Sequence, residues 1–357
     1  MTPTPNLLQI SNLHKSYQAP NQPRRWWPSL SNTASASQIK AINGLNLSIA
    51  KGETLCVVGE SGCGKSTLAR LVMGLEQPDQ GHISYQGNNI SSLKHKQRQD
   101  YRQRMQMVFQ DPYTALNPRL TVLHALVEPL LYHQPQLNRQ NAIDQAMAQL
   151  LAVGIDPALA QRFPHQLSGG QRQRINIARA LMVQPEFIVA DEPLSALDVS
   201  IQAQILNLLA QLQQRQQLTF LIFSHNLAAV EHMADRVAVM YEGQICEIAS
   251  REKIFNHPQH PYTKALLAAS PQIYQAPNTH HKLVGDVPNR IPTQQGCSLQ
   301  DRCPKAFETC RHQTPKSIEM TTGHWVACHL VADPTSTDPI PHTQVELEKG
   351  NHHDPSH

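Results

Sequence analysis

The sequence predicts an α/β protein built on a parallel sheet, and three observations carry that reading. The apolar runs TLCVV, FIVAD and LTFLIFS are each followed by a stretch of helical spacing, which is the alternation of a parallel sheet with crossover helices. A glycine-rich segment, GESGCGKS at residues 59 to 66, sits between the first of these runs and the helical TLARLVMG. At 357 residues the chain is long enough for two or three packed units.

The elements follow in order. Residues 5 to 18 and 39 to 58 read as strands, interrupted by QAPNQPRRWWPSLSNTASASQ, a Pro/Ser/Asn-rich surface insertion carrying Arg24, Arg25, Trp26 and Trp27. Two readings of that insertion stay open, an exposed loop or a contact with a membrane interface, where amphipathic rings and cations are both favoured. From about Lys94 to His165 the chain turns polar and Gln-rich, with helical spacing in DQAMAQLLAVGI, bounded by prolines at 112, 118, 129 and 164. This is an inserted helical subdomain, taken to about residue 185 when the helix opened by LSGGQRQR is included. After His260 the composition shifts again, giving a 256–330 extension and a 331–357 tail of Pro, Thr, His and charge that reads as disordered.

Composition narrows the function. Thirty Lys and Arg against 27 Asp and Glu give a formal charge of +3 over the whole length, so no broad footprint for nucleic acid is present. There is no run of 18 apolar residues, and MTPTPNLLQI lacks the regions of a signal peptide, so a cytosolic chain is expected. Of seven cysteines, Cys56 and Cys246 fall in apolar strand-like runs and read as small buried hydrophobes. Cys297, Cys303, Cys310 and Cys328 cluster near the C-terminus, which in a cytosolic protein argues for metal or cluster ligation before disulfides.

The glycine-rich segment fits G-x-x-x-x-G-K-[ST] in the strand-to-helix context that the motif needs. Gly59, Glu60, Ser61, Gly62, Cys63, Gly64, Lys65, Ser66 and Thr67 are the candidate phosphate cradle. The glycines let backbone N–H groups turn inward, Lys65 supplies a point charge to the β- and γ-oxygens, and Ser66 offers a hydroxyl to Mg²⁺. FIVADEP, at 187 to 193, is an apolar strand ending in two adjacent carboxylates that point in different directions. Asp191 is expected to act on Mg²⁺ and Glu192 to polarise an attacking water as general base. LSGGQ then poses a question, because small residues opening a helix form a second anion site in a chain that already has one.

At this point the sequence resembles the ATP-binding cassette (ABC) family, over roughly residues 7 to 250, and LSGGQ is that family's signature. The resemblance implies an ABC cassette at 5–255: a P-loop NTPase with a RecA-like parallel-sheet core, an antiparallel β subdomain and an inserted helical subdomain, followed by the Cys-containing extension. It implies two cassettes facing head to tail, so that Ser168, Gly169, Gly170 and Gln171 cap in trans the phosphate held by the other subunit. It further implies that Tyr17 stacks on adenine, that Gln110 in VFQDP joins the subdomains and contacts Mg²⁺ or the water, that Ser195 to Asp198 cross the dimer interface, and that His225 in IFSHN bonds the γ-phosphate. Lys65, Gln110, Glu192 and His225 are the expected catalytic set, with ATP and Mg²⁺ as cofactors.

NHPQHPYTKALLAASP, residues 256 to 271, together with the cysteine segment, is similar to the C-terminal extension of ATPase subunits from the dipeptide, oligopeptide and nickel importer group, in particular the dipeptide or oligopeptide F-type subunit. That likeness implies a peripheral protein on the cytoplasmic face of the membrane. Its implied partners are a second ATPase subunit, two permeases and, indirectly, a substrate-binding protein, and nickel or another small solute stays open as cargo. The helix of HPYT is expected to be a packing element. The cysteine spacing, C-x5-C-x6-C-x17-C, suits neither a zinc ribbon nor a ferredoxin run, so a [4Fe-4S] cluster, Zn²⁺ and no metal all stay open. A soluble cassette acting on nucleic acid would want a basic stripe or a second cassette. A catalytically silent regulatory subunit would not need Lys65, Asp191, Glu192 and His225 together.

Overall fold

A computed structural model describes residues 6–18, 38–93, 97–195, 197–270, 283 and 295–332. The Arg24–Trp27 insertion and the tail beyond residue 332 lie outside the described residues. Among the described residues twelve strands follow one another: β1 (Asn6–Gln18), β2 (Gln38–Ala50), β3 (Thr54–Val58), β4 (Gln80–Tyr85), β5 (Asn88–Asn89), β6 (Met105–Val108), β7 (Phe187–Asp191), β8 (Thr219–Ser224), β9 (Arg236–Tyr241), β10 (Gln244–Ser250), β11 (Ile318–Thr321) and β12 (His324–Val326). They form two sheets. An antiparallel sheet has the order β2-β1-β4-β5, and a larger one the order β11-β12-β10-β9-β3-β8-β7-β6, parallel from β9 to β6. The expected α/β class is observed.

The central strands are mostly apolar because both their faces are covered. In β3, Leu55 and Val57 point into a core shared with Leu8, Ile10 and Ile42 of the antiparallel sheet and with Leu68, Leu71 and Val72 of the helix Lys65–Val72. Cys56 and Val58 point the other way, into a core shared with Leu126 and Leu130 of the helix Val122–His133 and with Ile175 of the helix Gly169–Leu181. A side-chain period of two thus divides one strand between two cores. Each fully buried Leu, Val or Ile contributes roughly 1.5–3 kcal/mol.

Three departures from the sequence reading have local causes. The run 39–58 is two strands rather than one, since Gly52 at φ 78 lets the chain turn between Ala50 and Thr54 and pass from one sheet to the other. The stretch from 94 read as an inserted helical subdomain also contains β6, four residues on the sheet edge beside β7, too short to show a strand period. Pro129 lies inside the helix Val122–His133 rather than at its boundary, where burial of Val122, Leu126 and Leu130 outweighs the one lost backbone bond. The C-terminal extension adds the β11–β12 hairpin to the main sheet, with Glu247 opposite Val326 and Ile248 opposite Trp325.

Candidate nucleotide site

The loop of residues 59 to 64 leaves the C-terminal end of β3 and turns into the helix Lys65–Val72, whose first N–H groups it exposes. Gly64 makes the turn at φ 112, and a Cβ there would sit 2.4 Å from the Ala41 carbonyl oxygen, so only glycine fits. Above the loop lies a cleft of about 500 Å³ lined by Tyr17, Ser61, Gly62, Gly64, Lys65, Ser66, Thr67, Gln110 and Glu192, with Ile39 and Ala41 as apolar walls. Residues from five separate stretches of the sequence therefore meet in one place.

Glu192 is the hub. It follows Asp191 at the end of β7 with a left-handed φ of 44, an unusual conformation for a non-glycine residue, and its N–H donates to the Phe223 carbonyl at 2.9 Å. One carboxylate oxygen lies 3.9 Å from Lys65 Nζ; the other lies 3.1 Å from His225 Nδ1 and accepts from Gln110 Nε2 at 3.2 Å. Lys65 meanwhile donates to the carbonyls of Gly59 at 2.7 Å and Glu60 at 3.0 Å. Asp191 is buried close to the Ser66 hydroxyl, and its Oδ1 has no hydrogen-bond partner among the described residues. Burial holds its carboxyl above the usual range, with the Ser66 hydroxyl acting in the opposite direction. Tyr17, at the rim, donates to the Glu76 carboxylate, and burial followed by that bond raises its phenol.

Three of the candidate loop residues face elsewhere. Gly59, Glu60 and Cys63 do not line the cleft: Cys63 is buried, and Glu60 turns its carboxylate to Arg302. Ser168, Gly169, Gly170, Gln171 and Asp198 also lie outside it. Ser168 and Gln171 form a capping box, with Ser168 Oγ accepting from the Gln171 N–H at 3.3 Å and Gln171 Oε1 accepting from the Ser168 N–H at 3.0 Å. The helix after them is fastened by residues that the motifs did not mark. Arg172 donates to the Pro164 and Leu167 carbonyls and stacks 3.8 Å from the Tyr113 ring, while the Gln173 amide donates to the carbonyl of Pro193, next to Glu192. Their signal in the sequence was helical spacing on the buried face, shared with Asn176, which donates to the Phe109 carbonyl beside Gln110.

The four C-terminal cysteines lie in one segment, where the Cys297 N–H donates to the Cys310 carbonyl at 2.7 Å. Burial, reinforced by the neighbouring thiols, pushes Cys297 up to about 12 and Cys303 up to about 11, and Cys328 is raised for the same reason. Among the described residues no three His, Cys, Asp or Glu side chains are grouped to hold a metal ion. The helix Pro261–Ala269, expected only to pack, also carries the Tyr262 hydroxyl to the phosphate loop.

Comparison with known proteins agrees with this geometry. The dimeric cassette MJ0796, in a post-hydrolysis state bound to ADP and Pi, superposes with a TM-score of 0.60 at 26% identity, covering 68% of this chain and 98% of that one. The ABC transporter family matches residues 42–195, and the oligopeptide/dipeptide transporter C-terminal region matches residues 246–310. Fold and site thus define an ATP-hydrolysing cassette of the ABC class. The putative oligopeptide transport ATP-binding protein YkfD of Bacillus subtilis is 46% identical over 298 residues, covering 82% of this chain and 90% of that protein. The di/tripeptide transport ATP-binding protein DppF of Pseudomonas aeruginosa is 45% identical over 294 residues, 82% of this chain and 90% of that protein. The oligopeptide transport ATP-binding protein OppF of Escherichia coli is 41% identical over 331 residues, 92% and 97% respectively. The chain belongs to the ABC transporter ATP-binding proteins, in the group of oligopeptide and dipeptide transport ATP-binding proteins. Among the described residues no helix is long and apolar enough to cross a membrane.

Proposed function

We propose that this chain powers the import of dipeptides or oligopeptides, as one of two ATPase subunits bound to two permeases at the cytoplasmic face of a membrane, with a substrate-binding protein delivering the cargo. Its relatives' names and its matched C-terminal region support the peptide assignment. The observation that carries the chemistry is the convergence of Lys65, Gln110 and His225 on Glu192 above the phosphate loop. In this reading Tyr17 stacks on adenine, Lys65 and the loop amides of residues 61 to 67 hold the phosphates, Glu192 accepts a proton from the attacking water, Gln110 orients that water, and His225 bonds the γ-phosphate. Mg²⁺ fits the site, because Asp191 offers a buried oxygen without a partner beside the Ser66 hydroxyl. Ser66, Asp191 and Gln110 would hold the ion, which supplies charge neutralisation at the phosphate oxygens.

One cleft is half a site in this reading. Ser168, Gly169, Gly170 and Gln171 present a capped helix N-terminus away from their own phosphate loop, which suits capping the γ-phosphate of a facing cassette, with the loop to Asp198 crossing between the two. A Ser168→Arg variant tests this. It should abolish turnover at the facing site of the assembled transporter while the isolated chain keeps its own nucleotide affinity, whereas Lys65→Ala should lose that affinity directly. Loss of the isolated chain's own binding in Ser168→Arg would place the signature in cis and end the reading.

The resident metal at Cys297, Cys303, Cys310 and Cys328 is the finer part of the proposal. The shared segment supports it, whereas among the described residues no three of the His, Cys, Asp or Glu side chains are grouped to hold a metal ion. Anaerobic purification followed by iron, sulfide and zinc analysis distinguishes a [4Fe-4S] cluster, Zn²⁺ and a plain thiol cluster.

A further inference from the structure

Glu60, the second residue of the phosphate loop, is held from two sides by the C-terminal extension. Its carboxylate receives both terminal nitrogens of Arg302, Nη1 at 2.7 Å and Nη2 at 3.0 Å, in a fork-to-fork pair spanning 242 residues of chain. Its backbone N–H donates to the Tyr262 hydroxyl at 2.9 Å, across 202 residues. Both side chains are built in. Tyr262 is fully buried, with its ring 4.7 Å from that of Tyr241. Arg302 is 7% exposed, donates again to the Tyr241 hydroxyl at 3.4 Å, and keeps a buried Nε with no partner among the described residues, so Glu60 is the carboxylate that balances this guanidinium.

We propose that Arg302 and Tyr262 are positioning residues of the phosphate loop, through which the C-terminal extension sets the affinity for nucleotide. The loop must hold its N–H groups inward before phosphate arrives, and any freedom it has beforehand is lost on binding. Gly59 is already seated against β9, where a Cβ would lie 2.2 Å from the Met240 carbonyl oxygen. With Gly59 backed by the sheet and Glu60 clamped by Arg302 and Tyr262, the first turn of the loop is fixed, and Lys65 finds the Gly59 and Glu60 carbonyls at constant positions. Arg302 is itself oriented by the turn that carries the thiols, since its N–H and that of Cys303 both donate to the Leu299 carbonyl, at 3.0 and 2.8 Å.

The inference rests on the phosphate-loop reading, and the test separates the two. In the purified full-length chain, binding of a fluorescent ATP analogue with Mg²⁺ is titrated for wild type, Lys65→Ala, Arg302→Met, Glu60→Gln, Tyr262→Phe and the Arg302→Met/Glu60→Gln pair, alongside thermal unfolding without nucleotide. Arg302→Met and Glu60→Gln are each expected to raise Kd about ten-fold, and the pair no more than either alone, because they remove the same contact. Tyr262→Phe, which deletes only the hydroxyl, should raise Kd by a smaller factor. In the assembled transporter Arg302→Met should raise KM for ATP while kcat stays within about two-fold of wild type, the split expected when only loop preorganisation is lost. Should Arg302→Met fail to fold, Glu60→Gln and Tyr262→Phe test the same clamp from its other side. Unchanged Kd in the folded variants, or additive losses in the pair, overturns the proposal, whereas unchanged Kd in Lys65→Ala overturns the site reading beneath it.

Discussion

Replacing Glu192 by Gln removes one charge and one proton acceptor while keeping shape, and the geometry gives opposite expectations for turnover and binding. The Gln110 bond at 3.2 Å survives, since an amide oxygen also accepts. Loss of a positioned base costs roughly 10²–10⁴-fold in kcat, or about 3–5 kcal/mol of barrier at 1.36 kcal/mol per decade. Binding moves the other way. The Glu192 carboxylate lies 3.9 Å from Lys65 Nζ, within a site where its side chain is 14% exposed. At an effective dielectric constant near 20 such a pair is worth up to ~4 kcal/mol, part of which an incoming phosphate must displace. A neutral residue releases Lys65 and removes repulsion toward the γ-phosphate, so Kd for ATP should fall about ten-fold, equivalent to ~1.4 kcal/mol. Steady-state hydrolysis by the assembled transporter and nucleotide titration of the isolated chain measure the two effects. A kcat within a factor of two of wild type would refute Glu192 as the base, and a weakened Kd would refute the competition for Lys65.

Four further outcomes are expected. Gly59→Ala should strongly weaken nucleotide binding, because its Cβ would meet the Met240 backbone oxygen at 2.2 Å and strand β9 cannot yield, whereas Gly62→Ala faces open space and bears only the ~1–2 kcal/mol strain of a left-handed φ; equal affinities for the two variants would contradict this. His260 is buried, and burial lowers its pKa to about 4 against the pull of Glu247, so between pH 6.5 and 4 the unfolded chain takes up a proton that the folded chain refuses. Stability should fall by about 3 kcal/mol as pH drops through that window, and denaturation of His260→Asn, which keeps an acceptor for the Tyr262 N–H, should lack this loss. Gln110→Ala deletes one bond of about 1 kcal/mol to Glu192 and should impair transport more than nucleotide binding; equal loss of both would exclude a relay role. Removing the side-chain amide by Gln173→Leu frees the Pro193 carbonyl and should lower turnover without changing nucleotide Kd, measured on the same preparations.

Much of the cassette was legible in the sequence because its signals are local. A strand, a glycine-rich turn and a helix start are contiguous in TLCVVGESGCGKSTLARLV, and FIVADEP and IFSHN each place their polar residues one step beyond a strand buried on both faces. Alternation of such runs was enough for the α/β class. Short or shared elements were not legible: β6 has four residues, and Gly52 divides a run whose apolar pattern continues on both sides. Which groups could meet a phosphate was written in the order of residues alone. Their partners were chosen by packing, since a carboxylate carries no mark of the cation it will face. Glu60, read as part of the phosphate cradle, gives its side chain to Arg302 and its amide to Tyr262. Four cysteines cluster in sequence, yet among the described residues no three His, Cys, Asp or Glu side chains are grouped to hold a metal ion. Spacing along a chain limits how far apart two residues can lie, but side-chain direction and burial, set by contacts hundreds of residues away, choose which of them touch.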